Sequence, residues 1–298
     1  MLHLTALAGV MGISFSAVFV RLAGVSPVTA AFYRAAYAVP VLLILWLRVR
    51  GNDRRSPGVR SVAVAAGVCL ALDLAFWHES IDLIGVGLAT VVANAQFVFV
   101  ALGAWALHGE RPARQVWILM AGVAVGLLLT SGLARPDAYG TAPLAGAVYG
   151  VLAAACYAMF LIVFRQANRS LAPVSGALLD ATIGTLLGAF LVSPFDPRFA
   201  FAPHWPAHGW LVILALVSQV AGWMLIATAL PRLPALETSI MLLLQPVFAL
   251  MWGVLFFAER LSRIQWIGVA MVLGGVAAIS RGRAMVQEVK LAPIDESA

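Results

Sequence analysis

The chain has 298 residues, of which 62% are hydrophobic and 11% charged, with a mean hydropathy of +0.97. A soluble domain runs nearer roughly 45–50% apolar and about 25% charged, so a water-soluble globular protein is excluded, and disorder and nucleic-acid binding with it. The formal charge of +6 is modest, and the basic residues stand as punctuation between apolar runs, the pattern of a polytopic membrane protein.

A hydrocarbon core of about 30 Å needs roughly 20 apolar residues per helix. Cutting the chain at its Arg, Pro and Gly clusters predicts ten spans, over 4–22, 28–48, 61–81, 87–107, 115–133, 143–165, 173–193, 209–230, 235–257 and 264–281. The first could be read as a signal peptide ahead of Val28-Thr29-Ala30, but it lacks a basic leading region. Connections are short except for the Arg-rich stretch 48–60, which is either a topological anchor or a contact for anionic lipid, and the Pro/aromatic stretch 193–208. Residues 282–298 form a polar tail. Cys69 and Cys156 lie inside apolar runs and read as small core residues.

With the N-terminus in the cytoplasm, inner loops and tail carry Arg48, Arg50, Arg54, Arg55, Arg60, Arg111, Arg114, Arg165, Arg169, Arg232, Arg281, Arg283 and Lys290. Outer loops carry only Arg21, Arg135, Arg198, Arg260 and Arg263. The positive-inside rule therefore places both termini in the cytoplasm, and a cell inner membrane is the expected location.

Laid on itself at an offset of 149 residues, the chain aligns Gln96 with Gln245, Phe99 with Phe248, Glu110-Arg111 with Glu259-Arg260, Arg114 with Arg263, Trp117 with Trp266 and Gly126 with Gly275. An offset of 146 matches Ser26-Pro27-Val28-Thr29 with Ala172-Pro173-Val174-Ser175. Each copy holds five spans, an odd number, so the second enters the membrane from the opposite side. The expected fold is all-α, ten transmembrane helices as two inverted five-helix repeats over 4–133 and 143–281. That symmetry lets a transporter expose one midplane site to either side.

These residues resemble a known family. Gly109-Glu110-Arg111-Pro112 through Gln115 to Gly122, and Ala258-Glu259-Arg260-Leu261-Ser262 with Gln265 and Gly268, are similar to the unit ends of the EamA family in the drug/metabolite transporter superfamily. Leu244-Gln245-Pro246-Val247-Phe248 matches the family's proline-containing ninth helix, and Arg34 an arginine often found in the second. Phe97 stands where the family usually has proline, and Asp180 stands opposite Arg34, so the halves depart from strict equivalence. The resemblance implies ten helices around a central cavity and secondary transport of small metabolites, commonly outward. Among members the chain is most similar to YddG-type bacterial exporters of aromatic amino acids.

Ionisable groups at membrane depth are costly unless paired or facing water, which makes them site candidates. Arg34 lies two turns into the second span, and Asp73, His78 and Glu79 in the outer half of the third, so Arg34 is expected to pair with Asp73 or Glu79, for gating or for structure. Asp180, in the opposite leaflet, is expected to pair with Arg165, Arg169 or Arg232. Asp73, Trp77 and Ser80 share one helical face, as do Gln219 and Trp223 in the eighth span. An indole beside a polar group suits an amphipathic ligand, although Trp77 also fits an interfacial belt. Asn94, Gln96 and Gln245 either bind substrate or bridge helices. Pro246 removes a backbone donor and is either a hinge or a simple kink. Gly122-xxx-Gly126 and Gly146-xxx-Gly150 read as helix-packing motifs, and Glu110 and Glu259 as organisers of turns.

Zinc-protease, nucleophile-elbow and Walker motifs do not occur in the sequence, so neither an intramembrane enzyme nor direct ATP drive is expected, and no metal or cofactor is called for. The expected function is alternating-access export of amino acids, aromatic or bulky ones favoured, with nucleosides, nucleotide sugars or drugs as alternative cargo. The expected substrate contacts are Trp77, His78, Asn94, Gln219, Trp223 and Gln245, with Arg34, Asp73, Glu79 and Asp180 as gate or charge pairs. The lipid bilayer is the only other partner expected, and monomer and homo-oligomer both fit.

Overall fold

A computed structural model describes residues 1–108, 114–131, 138–167, 173–202, 204–229, 232–233 and 235–291. Glu110-Arg111 and their neighbours, Arg135, Arg169 and the end of the tail lie outside the described residues. The helices are α1 (Leu2–Ser14), α2 (Ser16–Ala23), α3 (Pro27–Leu47), α4 (Pro57–Ala93), α5 (Gln96–His108), α6 (Arg114–Thr130), α7 (Pro143–Ala167), α8 (Val174–Val192), α9 (Ala207–Ile213), α10 (Trp223–Ala229), α11 (Ala235–Phe257) and α12 (Arg263–Leu291). A π-helical segment, Leu214–Gly222, joins α9 to α10. Among the described residues, six apolar helical stretches are long enough to cross a bilayer, and three shorter ones, Arg114–Thr130, Met241–Phe257 and Arg263–Ala278, accompany them. The protein is a polytopic all-α membrane protein.

Local sequence explains the helix starts. Ser26 accepts from the Thr29 N–H at 3.2 Å ahead of Pro27, and Ser56 accepts from Val59 N–H at 3.3 Å ahead of Pro57. In both, serine satisfies an orphan donor while proline supplies a preset φ where no N–H is needed.

The apolar stretch Pro57–Gly103 has 47 residues, which as a straight helix would measure about 70 Å, more than twice the hydrocarbon thickness. It is broken at Gly85, whose φ of 82° and ψ of 171° suit a residue without Cβ. Gly150 of α7 abuts both Ser80 and Val92, two side chains that a continuous helix would hold about 18 Å apart. The chain therefore folds back at Gly85.

Small residues set the closest crossings. A Cβ on Gly67 of α4 would strike the Ala181 carbonyl of α8, and Gly126 of α6 lies against the Gly268 carbonyl of α12. Gly146 and Gly150 pack on Ile84 and Val92 as their spacing predicts, whereas Gly122 faces open space and joins no crossing. Van der Waals contact is the main helix-joining force in lipid, so such approaches matter there.

Helix irregularities cluster at mid-depth. The break between α1 and α2 falls at Phe15, that between α4 and α5 at Asn94-Ala95, the π segment surrounds Gln219, and Pro246 sits inside α11, where it removes a backbone donor. Irregular backbone at membrane depth is tolerated where it is buried in protein or lines a cavity, and these four surround one.

Candidate functional site

The cavity, about 320 Å³, is lined by residues from every one of those irregular helices together with α3 and α7. Its walls carry Trp77, Phe97, Tyr157 and Trp223 among aliphatic side chains, and its polar groups are Ser16, Arg34, Asp73, Thr90, Asn94, Gln96, Gln219 and Gln245. A mostly apolar concavity with a few placed polar groups, and of this size, is the usual form of a small-molecule site.

Arg34 is the most tightly held of these. It is 4% exposed, its Nε donates to Gln219 Oε1 at 2.7 Å and its Nη1 to Ser16 Oγ at 2.9 Å, while Gln219 Nε2 donates to Thr182 Oγ1 at 3.2 Å. One hydrogen-bonded chain thus ties α2, α3, the π segment and α8. Asp73 faces the same cavity, but the expected Arg34–Asp73 ion pair is not made, because Gln219 and Ser16 occupy the guanidinium edge instead. Neither does Arg34 pair with Glu79. That carboxylate turns out to the surface and takes Arg198 Nη2 at 2.8 Å.

Asp180 also departs from its expected partners. Arg55 Nη2 lies 2.8 Å and Arg60 Nη2 2.9 Å from its carboxylate, because the 48–60 connection folds back under α8. There Asp53 accepts from Arg55 Nε at 3.0 Å and from the Trp46 indole at 3.0 Å. The hydrogen bonds from Arg55 hold the Asp53 carboxyl down at about 2. Arg165 and Arg232 are exposed and apart from Asp180, and Arg169 is outside the described residues.

His78 does not line the cavity. It is 1% exposed, and its Nδ1 donates to the Pro27 carbonyl at 3.0 Å, as it must against an acceptor-only group. The helical face it shares with neither Asp73 nor Trp77 points it at α3. Trp77, Asn94, Gln219, Trp223 and Gln245 do line the cavity, with Asn94 Nδ2 donating to the Thr90 carbonyl at 2.8 Å. Sequence reasoning missed Ser16, Thr90 and Tyr157. Serine or threonine in a span is ordinary, and no spacing rule marks a lone tyrosine, so none of them carried a signal.

One end of the bundle is closed beyond the cavity. Glu259, 3% exposed, accepts from Arg21 Nη1 at 2.6 Å, Val86 N–H at 2.6 Å and Gly87 N–H at 3.0 Å. Burial raises its carboxyl, and the two N–H donors and Arg21 oppose that rise. Residues 193–202 cover the same end, with Ala200 N–H donating to Thr29 Oγ1 at 3.0 Å and the Tyr33 hydroxyl to the Phe201 carbonyl. The cavity instead runs from mid-depth toward Phe97, Leu161, Ile226 and Leu242, each on a part of its span away from Glu259.

Comparisons agree with this architecture. The chain is 25% identical to the threonine/homoserine exporter RhtA of Escherichia coli over 74% of this chain and 70% of that one. It is 25% identical to the uncharacterized transporter YwfM of Bacillus subtilis, covering 72% and 71%, and 26% identical to the uncharacterized transporter YcbK of the same organism, covering 87% and 84%. A solved crystal structure at 20% identity superposes with a TM-score of 0.61, covering 96% of this chain and 98% of the other, which supports the fold. The EamA-like transporter family matches twice, over residues 1–132 and 144–281, and the chain belongs to that family, within the drug/metabolite transporter superfamily.

Proposed function

We propose that the chain exports amino acids across the bacterial inner membrane by alternating access. Its fold on this reading is ten spans in two inverted five-helix repeats, 4–133 and 143–281, with both termini and the 282–298 tail cytoplasmic. The observation that carries the reading is the mid-depth cavity, which joins one buried arginine, one buried aspartate and two indoles between helices of both repeats. Packing of α3 on α8 and of α6 on α12 supports the symmetry, since these are corresponding spans of the two copies. In that orientation the sealed Glu259 end is outer and the cavity extends inward, as a state ready to load cytoplasmic solute.

Trp77, Trp223, Phe97 and Tyr157 favour bulky apolar or aromatic side chains, as in YddG-type exporters. The similarity to RhtA favours a second reading, small hydroxylated amino acids. Exchange in proteoliposomes, with labelled phenylalanine, leucine, threonine, homoserine and a nucleotide sugar, separates them. Faster exchange of the first two is expected, and exchange of the nucleotide sugar alone overturns the amino-acid reading. Trp223→Ala and Gln219→Ala are expected to cut exchange by about tenfold or more while inserted protein remains; unchanged rates in both move the site elsewhere.

A further inference from the structure

Two opposite charges face this cavity without meeting. Arg34 and Asp73 are each more than nine-tenths buried, and among the described residues no hydrogen bond or ion pair reaches the Asp73 carboxylate. The Arg34 Nε and Nη1 are committed to Gln219 and Ser16, which leaves Nη2 without a partner among the described residues. Among the described residues, the buried polar side-chain atoms that lack any partner are Trp77 Nε1, His78 Nε2 and Asp196 Oδ2. Neither the Asp73 oxygens nor Arg34 Nη2 are among them, so these unpaired atoms are not sealed in protein and open onto the cavity they line.

A buried charge needs a counter-charge or hydrogen bonds, and direct closure of this pair would satisfy both groups. Gln219 and Ser16 prevent it by holding the guanidinium aside. Compensation then has to come from what enters the cavity. A molecule that carries an ammonium and a carboxylate a bond or two apart answers both poles at once, and Tyr157 and Gln245, whose polar groups have no hydrogen bond among the described residues, line the same cavity.

We propose that the cavity binds its substrate as a zwitterion, with Asp73 receiving the ammonium group and Arg34 Nη2 donating to the carboxylate. The proposal rests on the amino-acid reading above and makes Asp73 a specificity residue rather than half of a gate. The test is competition for binding of a labelled amino acid to purified protein in proteoliposomes, using the same amino acid N-acetylated, amidated at its carboxyl, or lacking its amino group.

Acetylation and amidation are each expected to weaken binding on the order of tenfold to hundredfold, the worth of a charged hydrogen bond. Asp73→Asn is expected to lose affinity for the parent amino acid by a similar factor, yet to bind the des-amino analogue as wild type does, a selectivity that a merely structural role would not produce. Should Asp73→Asn not fold, the wild-type panel decides alone. Equal competition by the N-acetyl compound overturns the assignment of Asp73, and equal competition by the amide overturns that of Arg34; both leave amino-acid transport standing. Absence of binding and exchange for every amino acid, with another solute class exchanged, overturns the amino-acid reading and this proposal together.

Discussion

Glu259 shows how much one side chain can hold in a dry environment. Its carboxylate receives three donors, two of them backbone N–H groups at the α4 turn, and its side chain is fully enclosed. Glu259→Gln keeps one acceptor but turns an amide N–H toward a donor, so a buried N–H loses its partner, at a cost of about 1–3 kcal/mol. Arg21→Gln removes a charge whose side chain is 32% exposed, and solvent replaces most of what is lost, so about 1 kcal/mol or less is expected. Thermal unfolding of the two variants in detergent checks the order; an Arg21→Gln variant less stable than Glu259→Gln would contradict it. The sequence marks Glu259 as a turn organiser through the repeated Glu-Arg pair, but its partners Val86 and Gly87 lie about 170 positions away, beyond any local pattern. A separation of 120 positions to Arg60 likewise hid the partners of Asp180. Arg55 and Arg60 were legible as an inner basic stretch, yet nothing local showed that the stretch would fold back under α8.

At the scale of elements, hydropathy located apolar helices because burial in lipid depends on composition, and most of the boundaries read from it fall close to the observed helix ends, α12 being the exception with its end at Leu291. The gap left between 61–81 and 87–107 brackets the reversal at Gly85, but hydropathy could not locate the break at Asn94-Ala95 or the π segment around Gln219, since these depend on backbone geometry that mean hydropathy does not sense. The glycines sort by what surrounds them rather than by motif. Gly184→Ala places a methyl against the Val64 carbonyl and Gly67 of α4, and overpacking of a close helix crossing costs about 1–3 kcal/mol. Gly122→Ala meets nothing within 4 Å and gains helix propensity of about 1 kcal/mol or less. The folded yield after membrane extraction is expected to fall for Gly184→Ala and to hold for Gly122→Ala, although both stand in the same Gly-xxx-Gly spacing, with Gly188 and Gly126. Equal yields would place the α4–α8 crossing elsewhere.

At the scale of the molecule, two clasps stand at opposite ends of the bundle, Glu259 with Arg21 and the α4 turn at one, Asp180 with Arg55 and Arg60 at the other. Only the first lies at the closed end beyond the cavity, so on the proposed mechanism it opposes the outward-open state. Arg21→Gln removes one charged hydrogen bond from that clasp at small cost to the fold. A bond of this kind, worth about 1 kcal/mol at partial exposure, shifts a two-state population by roughly fivefold. A reporter at Thr90→Cys, which lines the cavity on the sealed side, in a background of Cys69→Ala and Cys156→Ala, reads that population through its reaction with a membrane-impermeant thiol reagent added outside. Labelling is expected to rise severalfold in Arg21→Gln and to stay unchanged in Arg60→Gln, which touches only the opposite clasp. A rise in both variants would mean general loosening of the bundle, and a rise in neither would mean that the Glu259 clasp is a static brace and the cavity opens outward by another route.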